Sequence, residues 1–295
     1  MEIDALESAD CPVCGPAPRR VWLDDGRRTR YVRCLGCGTV FASPRLSRTS
    51  RRAQLAETYA VGDFARRNAM GRAEALRAEA AVLRAYVDHG TIVDVGCDLG
   101  DLFAHFAGPG WRRLGVELSP SAAAWAAVTH DADVHPGDLR SAGFDSRCAD
   151  LVTMLDVFYY VDDPRGELAE AARILKAGGR LAIEFPGQRW HLARSRGPLC
   201  WLLDGSWCRL RTDSPYVNWY TPRALRRLME SAGFAVEGIH VMGSPRLGGR
   251  LRRAAVRVHR VAMALAVRWR PEALTWAPKY LMVGVKRAEP AQDGG

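Results

Sequence analysis

The chain has 295 residues, 48% hydrophobic and 25% charged, a globular composition that argues against wholesale disorder, collagen and coiled coil. Its net charge of +9 leaves two interpretations open: the arginine bias of a GC-rich genome, or an anionic partner such as a nucleotide, an acidic carrier protein, nucleic acid or a lipid surface. No run approaches the ~20 uncharged apolar residues of a membrane span. The acidic N-terminal residues lack a secretory signal, so we expect a cytoplasmic protein.

Four of the cysteines have the spacing of metal ligands. They form two C-x-x-C pairs, Cys11 with Cys14 and Cys34 with Cys37, with nineteen residues between the pairs. In a cytoplasmic chain this doubled spacing indicates a structural zinc site with four thiolate ligands. Two alternating runs around an Asp-Asp-Gly turn predict a β-hairpin between the pairs. We therefore predict a zinc ribbon over residues 1–43, with redox or incidental cysteine pairs as the alternative.

The next segments predict a helical cap and an α/β core. Residues 44–90 are rich in Ala, Arg and Glu and predict two helices, Ser47–Ala60 and Phe64–His89, which should cover the entrance of the following domain. From residue 91 to 185 the pattern alternates strands and helices, as in a doubly wound, Rossmann-like parallel sheet. The predicted strands are Thr91–Val95, Arg113–Leu118, Asp150–Asp156 and Arg180–Phe185, and the predicted helices are Asp101–Ala107, Ser121–Thr129 and Arg165–Lys176.

The turn after the first of these strands carries the main binding signal. It reads Asp94-Val95-Gly96-Cys97-Asp98-Leu99-Gly100. A glycine at the strand end lets a ligand approach the backbone, and the following helix N-terminus offers N–H groups to an anion. Glu117 ends the second strand, where a carboxylate accepts both hydroxyls of an adenosine ribose. Together these features predict an adenosine-containing cofactor; a glycine turn beside a solvated acid is the alternative.

This segment resembles the class I S-adenosylmethionine-dependent methyltransferases. The turn resembles their first motif, Glu117 their ribose-binding acid, and Pro136-Gly137-Asp138-Leu139 the segment that holds the adenine. The resemblance implies S-adenosylmethionine as cofactor and the following cofactor-binding residues: Asp94, Gly96, Cys97, Gly100, Glu117, Leu118, Asp138, Leu139 and Asp156. The cysteine ribbon and the segment 217–225 resemble a bacterial subgroup with an N-terminal zinc ribbon, which often serves sugar or natural-product pathways. A nicotinamide dehydrogenase usually has G-x-G-x-x-G, which this turn does not reproduce.

Several residues depart from the family pattern. Asp98 replaces the middle glycine of the turn; it tolerates a left-handed backbone, repels the cofactor's carboxylate and can meet its ammonium. Tyr159 and Tyr160 stand where the family often has Glu-His, and Tyr216 replaces a histidine. Because the usual general bases are missing, the candidates for the substrate pocket and catalysis are Tyr159, Tyr160, Tyr216 and the loop residue His191.

The last third of the chain predicts two additions to the core. Residues 186–220 form a long aromatic-rich connection, which predicts either a substrate lid or a packed surface subdomain. The family resemblance implies that residues 221–295 complete the core with an antiparallel last pair of strands. Between those strands, residues 247–270 predict a basic amphipathic helix. Its apolar face either packs on protein or lies on an anionic membrane, so peripheral membrane contact stays open.

These features predict a cytoplasmic methyltransferase that transfers the methyl group of S-adenosylmethionine to oxygen or carbon of a small metabolite. The basic charge leaves an anionic or carrier-linked substrate open. One alternative is RNA methylation, with the ribbon and the arginines binding phosphate. Another alternative is a catalytically degenerate fold that acts as a binding module. We do not favour nucleic acid as the partner.

Overall fold

A computed structural model describes most of the chain. The described residues are 6–24, 30–190, 216–242, 258, 261–263, 265–266 and 275–287, with the backbone alone described over 63–71. His191 and most of the predicted lid lie outside these residues. Among the helices described, none has the length and apolar character needed to cross a bilayer.

The N-terminal part is a small antiparallel ribbon. Strands β2 (Arg19–Leu23) and β3 (Tyr31–Cys34) pair antiparallel as the predicted hairpin, and β4 (Val40–Ala42) pairs with β3. The tip of the hairpin, residues 25–29, lies outside the described residues. Two short strands, β1 (Leu6–Glu7) and β5 (Arg45–Leu46), pair with each other beside this sheet.

Two helices follow, as the sequence predicts. Helix α1 (Arg48–Thr58) begins after Ser47, whose hydroxyl accepts a hydrogen bond from the Ser50 N–H and caps the helix. Helix α2 (Asp63–Arg84) ends five residues before the predicted end at residue 89. Its residues Leu76, Ala80 and Leu83 are buried, because their helical spacing places them on one face that packs on the core.

The core is a seven-stranded sheet in the order β12-β13-β10-β9-β6-β7-β8. All pairings are parallel except those of β13, which is antiparallel to both β10 and β12. This arrangement confirms the predicted Rossmann-like fold with an antiparallel last strand. The strands are β6 (Gly90–Val95), β7 (Trp111–Glu117), β8 (Asp133–Pro136), β9 (Ala149–Leu155), β10 (Leu175–Phe185), β12 (Phe234–Met242) and β13 (Lys279–Lys286).

Three helices of the core share one start signal. Helices α3 (Pro120–His130), α4 (Pro164–Ile174) and α5 (Pro222–Ser231) each begin with proline. The preceding Ser, Asp or Thr accepts a hydrogen bond from the backbone three residues later. Proline suits the first helical position because it lacks an N–H that the helix would leave unpaired.

Two local predictions need correction. The predicted helix after β6 is a six-residue 3-10 helix, Asp101–Phe106, which begins after Gly100 in the left-handed conformation. The predicted turn at Gly178-Gly179 lies inside β10, whose register with β9 shifts between Leu175 and Arg180. Gly178 has φ of 75°, so the extra residues form an irregularity within a continuous strand.

A short strand from the C-terminal half of the chain joins the ribbon sheet. Strand β11 (Asn218–Trp219) follows the predicted lid and pairs antiparallel with β4, which gives the four-stranded order β11-β4-β3-β2. Trp219 packs edge-on against Tyr31 with ring centroids 4.7 Å apart. The ribbon is therefore fixed to the chain segment that immediately precedes α5.

Little of the predicted helix 247–270 is described. Residues 258, 261–263 and 265–266 are helical, and Val258, Val261 and Leu265 are 69%, 57% and 57% exposed. The predicted apolar stripe consists of Leu251, Ala255, Val258, Ala262 and Leu265. Its three described members, Val258, Ala262 and Leu265, are all exposed. The arginines of this helix lie outside the described residues.

Candidate active site

The turn after β6 has the backbone that a close ligand requires. Gly96 has φ of 70°, and a Cβ placed on it would lie 2.7 Å from Val157 Cγ2. Any larger residue would therefore be strained and crowded there. Asp98 also adopts a left-handed backbone, with φ of 52°, so the replacement of the family's glycine leaves the turn intact.

Two buried carboxylates support this turn. Asp94 Oδ1 accepts a hydrogen bond of 2.6 Å from the Thr153 hydroxyl, and burial raises the pKa of Asp94 to about 7. Glu117 accepts hydrogen bonds from the backbone N–H groups of Asp98 (3.0 Å) and Ser119 (2.9 Å), while burial raises its pKa. One carboxylate thus links the ends of β6 and β7 and retains acceptor sites toward the cavity beside it.

A cavity of about 240 Å³ lies over the carboxyl ends of the parallel strands. Glu117 on β7, Gly96 after β6 and Asp156 after β9 all line it, as does Asp138 after β8. These residues come from adjacent strands, so they stand side by side along one edge of the sheet. The edge is where open α/β sheets bind ligands.

Arginines of helix α1 cover one end of the cavity. Arg52 and Arg48 both donate to Asp138 Oδ2, the latter at 3.3 Å. Burial alone would raise the pKa of Asp138, but the hydrogen bonds from Arg52 and Ser141 together with the charge of Arg52 outweigh burial and lower this pKa to about 2. Arg51 is 2% exposed and donates to Asp162 and, at 3.0 Å, to Glu7. The cap is therefore held to the core by ion pairs.

A second group of charges lies at the opposite end, beneath Asp156. Lys279 of β13 donates to Asp156 and, at 2.7 Å, to Glu184 of β10. Glu184 is fully buried, which raises its pKa well above the usual range. We call the set of residues involved the ion cluster; it consists of Arg72, Glu79, Asp156, Glu184 and Lys279.

Tyrosines form one wall of the cavity. Tyr159 stacks on Tyr216 with ring centroids 4.9 Å apart, and Tyr160 lies 4.5 Å from Tyr159. The hydroxyls of Tyr59 and Tyr160 are 3.3 Å apart. Burial raises the pKa of Tyr59 to about 12 and that of Tyr160 well above its usual range. These phenols stay protonated near neutral pH, which suits hydrogen-bond donation rather than proton abstraction.

The ribbon holds Tyr216 in this wall. The Tyr31 hydroxyl donates to the Tyr216 carbonyl at 3.2 Å. The next residue, Val217, donates to the Tyr159 carbonyl at 3.1 Å and accepts from the Ala42 N–H at 2.9 Å. The backbone around Tyr216 is thus bonded to the ribbon on one side and to the core on the other.

The four cysteines converge as predicted. The sulfurs of Cys11, Cys14, Cys34 and Cys37 all lie within 4.8 Å of one another, and those of Cys11 and Cys37 are 3.6 Å apart. Sulfurs of a tetrahedral zinc site, with Zn–S of about 2.3 Å, are separated by about 3.8 Å. The donor set and its spacing therefore fit one zinc ion with no ligand position open for chemistry.

The structure separates the predicted cofactor residues into three groups. Glu117, Leu118, Asp138, Asp156 and Gly96 line the cavity. Asp94 and Cys97, with Gly96 again, line a small side pocket next to it. Gly100 and Leu139 line neither: Gly100 caps the 3-10 helix and Leu139 is buried in the core.

The sequence predicted the two helices as a cover, but none of their cavity-lining side chains was predicted. The side chains that line the cavity from them are Arg48, Arg51, Arg52, Leu55, Tyr59 and Arg72. The first five recur at intervals of three and four residues, which places them on one face of α1. That periodicity was the available signal.

A family model described as a methyltransferase domain matches residues 66–238, more than half of the chain. The match spans the turn, the acidic residue of β7 and the strands that carry the cavity. The chain belongs to this family of methyltransferase domains.

Two curated relatives match this methyltransferase over part of their length. One is a malonyl-[acyl-carrier protein] O-methyltransferase of Hahella chejuensis, 36% identical over 95 residues, which are 30% of this chain and 34% of that protein. The other is an uncharacterized 37.1 kDa protein in transposon TN4556 of Streptomyces fradiae, 31% identical over 152 residues, or 49% and 43% of the two chains. The chain thus spans less than half the length of either relative.

Solved structures share the fold of the methyltransferase. A complex between the Haloferax volcanii Trm112 methyltransferase activator and the putative methyltransferase matches with a TM-score of 0.50 and 22% identity, covering 77% of this chain and 98% of that one. A S-adenosylmethionine-dependent methyltransferase of Methanosarcina mazei matches with a TM-score of 0.50 and 17% identity, covering 70% and 98%. At such identities the likeness concerns the fold.

Proposed function

We propose that this methyltransferase acts on oxygen or carbon of a small metabolite. The observation that carries the proposal is the tyrosine-walled cavity beneath α1. Its cover of side chains from α1 and the tyrosine wall suits a small acceptor beside the cofactor rather than a macromolecule laid across an open groove.

Within this proposal the cofactor lies along the strand ends. Glu117 binds the ribose hydroxyls, and Asp138 and the Leu139 N–H bind the adenine. Gly96, after the neighbouring strand β6, allows the cofactor to approach the backbone closely. When bound, S-adenosylmethionine supplies a sulfonium-activated methyl group. The Arg52–Asp138 ion pair must open or share the carboxylate when the adenine binds, since Asp138 Oδ2 already accepts from Arg52 and Arg48.

The residues of this chain supply alignment more than acid–base chemistry. Methyl transfer is an in-line displacement, so holding the acceptor on the axis of the breaking bond supplies much of the rate. The neutral phenols of Tyr160 and Tyr59 can donate hydrogen bonds to an acceptor. Asp156, which accepts a hydrogen bond from Lys279, offers a hydrogen-bond acceptor to a hydroxyl or an enol.

The ion pairs of the cavity favour methylation of a small metabolite over methylation of RNA. The arginines that line it are matched by acids: Arg52 and Arg48 by Asp138, and Arg140 by Asp163 at 2.6 Å. Phosphate binding requires basic side chains that are available to the nucleic acid. A single anionic or carrier-linked acceptor remains compatible, and the malonyl-[acyl-carrier protein] O-methyltransferase relative supports including such acceptors in a test.

The test is the fate of the methyl group. The protein is incubated with methyl-labelled S-adenosylmethionine and with separated small-molecule, protein and RNA fractions of a cell extract from its source. We expect label in the small-molecule fraction. The control is Glu117→Ala, which removes two hydrogen bonds from the ribose and should weaken cofactor binding by about a hundredfold.

Two results would contradict the proposal. Label in RNA, with binding that falls steeply as salt increases, would show the RNA methyltransferase. Cofactor binding in calorimetry without label in any fraction would favour a degenerate fold that acts as a binding module.

We also propose that the cysteine site binds zinc and that residues 186–220 form the remaining wall of the substrate cavity. The described end of that segment supports the second point. Tyr216 lines the cavity, and its backbone is fixed by both the ribbon and the core.

A further inference from the structure

The strands β12 and β13 are joined by an insertion, residues 243–278, whose two ends lie at the cavity edge of the sheet. Met242, the last residue of β12, pairs with Lys279, the first residue of β13. Lys279 also donates to Asp156, which lines the cavity. Neighbouring strands lie about 4.8 Å apart and β10 separates β13 from β9, so the insertion ends about 10 Å from the strand that Asp156 follows.

Aromatic contacts link this end of the insertion to the tyrosine wall of the cavity. Tyr159 packs edge-on against Phe185, the last residue of β10, with ring centroids 5.5 Å apart. The ring of Phe185 in turn lies 6.4 Å from that of Tyr280, its partner in the register of β10 and β13. Phe185 and Tyr280 are fully buried. The insertion therefore ends directly behind the wall beside which the acceptor is proposed to bind.

The described part of the insertion has an exposed apolar helix face. Val258, Val261, Ala262 and Leu265 are helical, and all four are exposed, Val258 by 69%. The last three follow Val258 by three, four and seven residues, which places all four on one face of a helix. A row of exposed apolar side chains is typical of a surface that contacts a partner or a membrane.

The charge of the same segment favours an anionic bilayer as the occupant of this face. Residues 243–270 contain eight arginines and no acidic residue, and Arg257 and Arg260 directly precede Val258 and Val261. A second copy of the chain would bring the same positive charge to the contact, and like charges repel. A bilayer with anionic lipids accepts apolar side chains and attracts arginines at the same time.

We propose that the insertion lies on an anionic membrane surface, so that the cavity edge faces the bilayer, and that the methyl acceptor is a membrane-borne amphiphile. The polar head group of this amphiphile carries the accepting oxygen or carbon and enters the cavity beside the tyrosine wall. Its apolar part stays in the bilayer. The acceptor part of this inference rests on the proposed function, whereas the membrane contact does not.

Quenching of tryptophan by brominated lipids tests which part of the protein touches the bilayer, because bromine on the acyl chains quenches the tryptophans that contact the membrane. The full chain carries Trp269→Phe, which leaves Trp276 as the tryptophan of the insertion. It is mixed with vesicles of phosphatidylcholine and phosphatidylglycerol, with or without bromine. We expect bromine-dependent quenching with these vesicles and none with vesicles of phosphatidylcholine alone.

Two tryptophans of equal exposure provide matched variants. Trp276 in the insertion and Trp125 on α3 are both 42% exposed. In the Trp269→Phe protein, Trp276→Phe should abolish the quenching and Trp125→Phe should leave it unchanged. Val258→Ser with Leu265→Ser changes exposed residues, and it should abolish the quenching by removing apolar contacts with the bilayer.

Three results would overturn the membrane contact: no bromine-dependent quenching, equal quenching by neutral vesicles, and quenching that Trp276→Phe leaves unchanged. The third would show that the bilayer touches a surface other than the cavity edge. If circular dichroism shows Trp276→Phe to be unfolded, the Val258/Leu265 variant decides, and unchanged quenching in that variant rejects the inference.

The class of acceptor is tested separately, by the fate of the methyl label. The protein is incubated with methyl-labelled S-adenosylmethionine and with either the lipid extract of source cells, incorporated in the anionic vesicles, or their water-soluble extract. We expect label in the lipid extract. Label in the water-soluble extract alone would overturn the membrane-borne acceptor and leave the proposed function standing, whereas label in neither extract would contradict both.

Discussion

The buried carboxyl of Asp94 makes the stability of the folded protein depend on pH. It is 5% exposed and accepts a hydrogen bond from Thr153, yet burial raises its pKa to about 7. In the unfolded chain an aspartate titrates near 4. Between these two values the folded protein holds a proton that the unfolded chain releases, so the stability that Asp94 contributes is full below pH ~4 and is lost as pH rises through 7.

Asp94→Asn should remove this dependence. The difference in unfolding free energy, variant minus wild type, should increase by about 1.4 kcal/mol per pH unit between pH 5 and 7 and become constant above pH 7. Urea unfolding at pH 5, 6, 7 and 8 measures it. The matched control is Asp145→Asn, at an exposed carboxyl, measured at the same four pH values. A constant difference for Asp94→Asn would show that its carboxyl is ionised in the folded protein.

Lys279 is the residue on which the ion cluster depends. It donates to both Asp156 and Glu184, and Glu184 is fully buried. Removing one partner of a buried ion pair leaves an uncompensated charge and costs about 3–5 kcal/mol. Lys279→Met should therefore lower the unfolding free energy by about that amount.

The control for this prediction is Lys176→Met. Lys176 pairs with Asp150 at 2.7 Å, but its side chain is 47% exposed, and such pairs contribute about 0–1 kcal/mol. Chemical unfolding of both variants at pH 7.5 compares them. If the two losses were equal, the ion cluster would be solvated and Lys279 would not be the structural cation of the site.

At the scale of elements, sequence periodicity predicted what is locally encoded. The strands β6, β7 and β9 and the helices α3 and α4 agree with their predicted ranges within two residues, because alternating or helical hydrophobicity and proline after a capping residue are local signals. The cysteine pairs likewise predicted a cluster that the structure assembles.

What escaped prediction depends on partners distant in the chain. Strand β11 has two residues and acquires its identity by pairing with β4, more than 170 residues earlier. Arg72 sits in a helix whose predicted role was that of a cover, and its place beside Asp156 follows from packing. Neither the pairing of β11 with β4 nor the contact between Arg72 and Asp156 has a signal in the neighbouring residues, so neither could be predicted from the sequence alone.

The ribbon is the element whose integrity the metal controls. Metal analysis should find about one zinc per chain, and Cys34→Ser combined with Cys37→Ser should abolish it, because two thiolates leave the tetrahedral site incomplete. Cys97→Ser with Cys148→Ser, at cysteines away from the cluster, should keep the full zinc content. Wild-type protein that is folded without metal, or a Cys34/Cys37 double variant with full zinc, would refute the site.

Loss of zinc should also alter the tyrosine wall of the cavity. The ribbon holds Tyr216 through Tyr31 and β11, while Glu117 and Gly96 belong to the core sheet. In the Cys34/Cys37 variant we therefore expect changed tyrosine and tryptophan fluorescence with S-adenosylhomocysteine affinity within about threefold of wild type. A parallel collapse of cofactor affinity would show that ribbon and core unfold together.

At the scale of the molecule, the charge is concentrated in one segment. Residues 243–270 contain eight arginines and no acidic residue, which accounts for nearly all of the net charge of +9. The cavity arginines, by contrast, are matched by acids. A genome-wide arginine bias would spread the excess more evenly, so this segment is where an anionic partner is expected.

The basic segment also contains the exposed apolar residues Val258, Val261 and Leu265, at helical spacing of three and four residues. An apolar stripe beside arginines is the pattern of helices that lie on anionic membranes, where each arginine near the surface contributes about 1 kcal/mol.

We predict that the protein sediments with anionic vesicles, that this binding declines as salt increases, and that it is absent with neutral vesicles. Arg252→Gln with Arg253→Gln should weaken it by tenfold or more, and Val258→Ser with Leu265→Ser should weaken it without unfolding the protein. The control is Arg226→Gln with Arg227→Gln, on α5, which should leave vesicle binding unchanged.

Binding that survives deletion of 247–270 would assign the membrane contact to another surface. Absence of salt-sensitive binding, together with a dimer in solution that Val258→Ser with Leu265→Ser dissociates, would show that the stripe packs on a second copy of the chain.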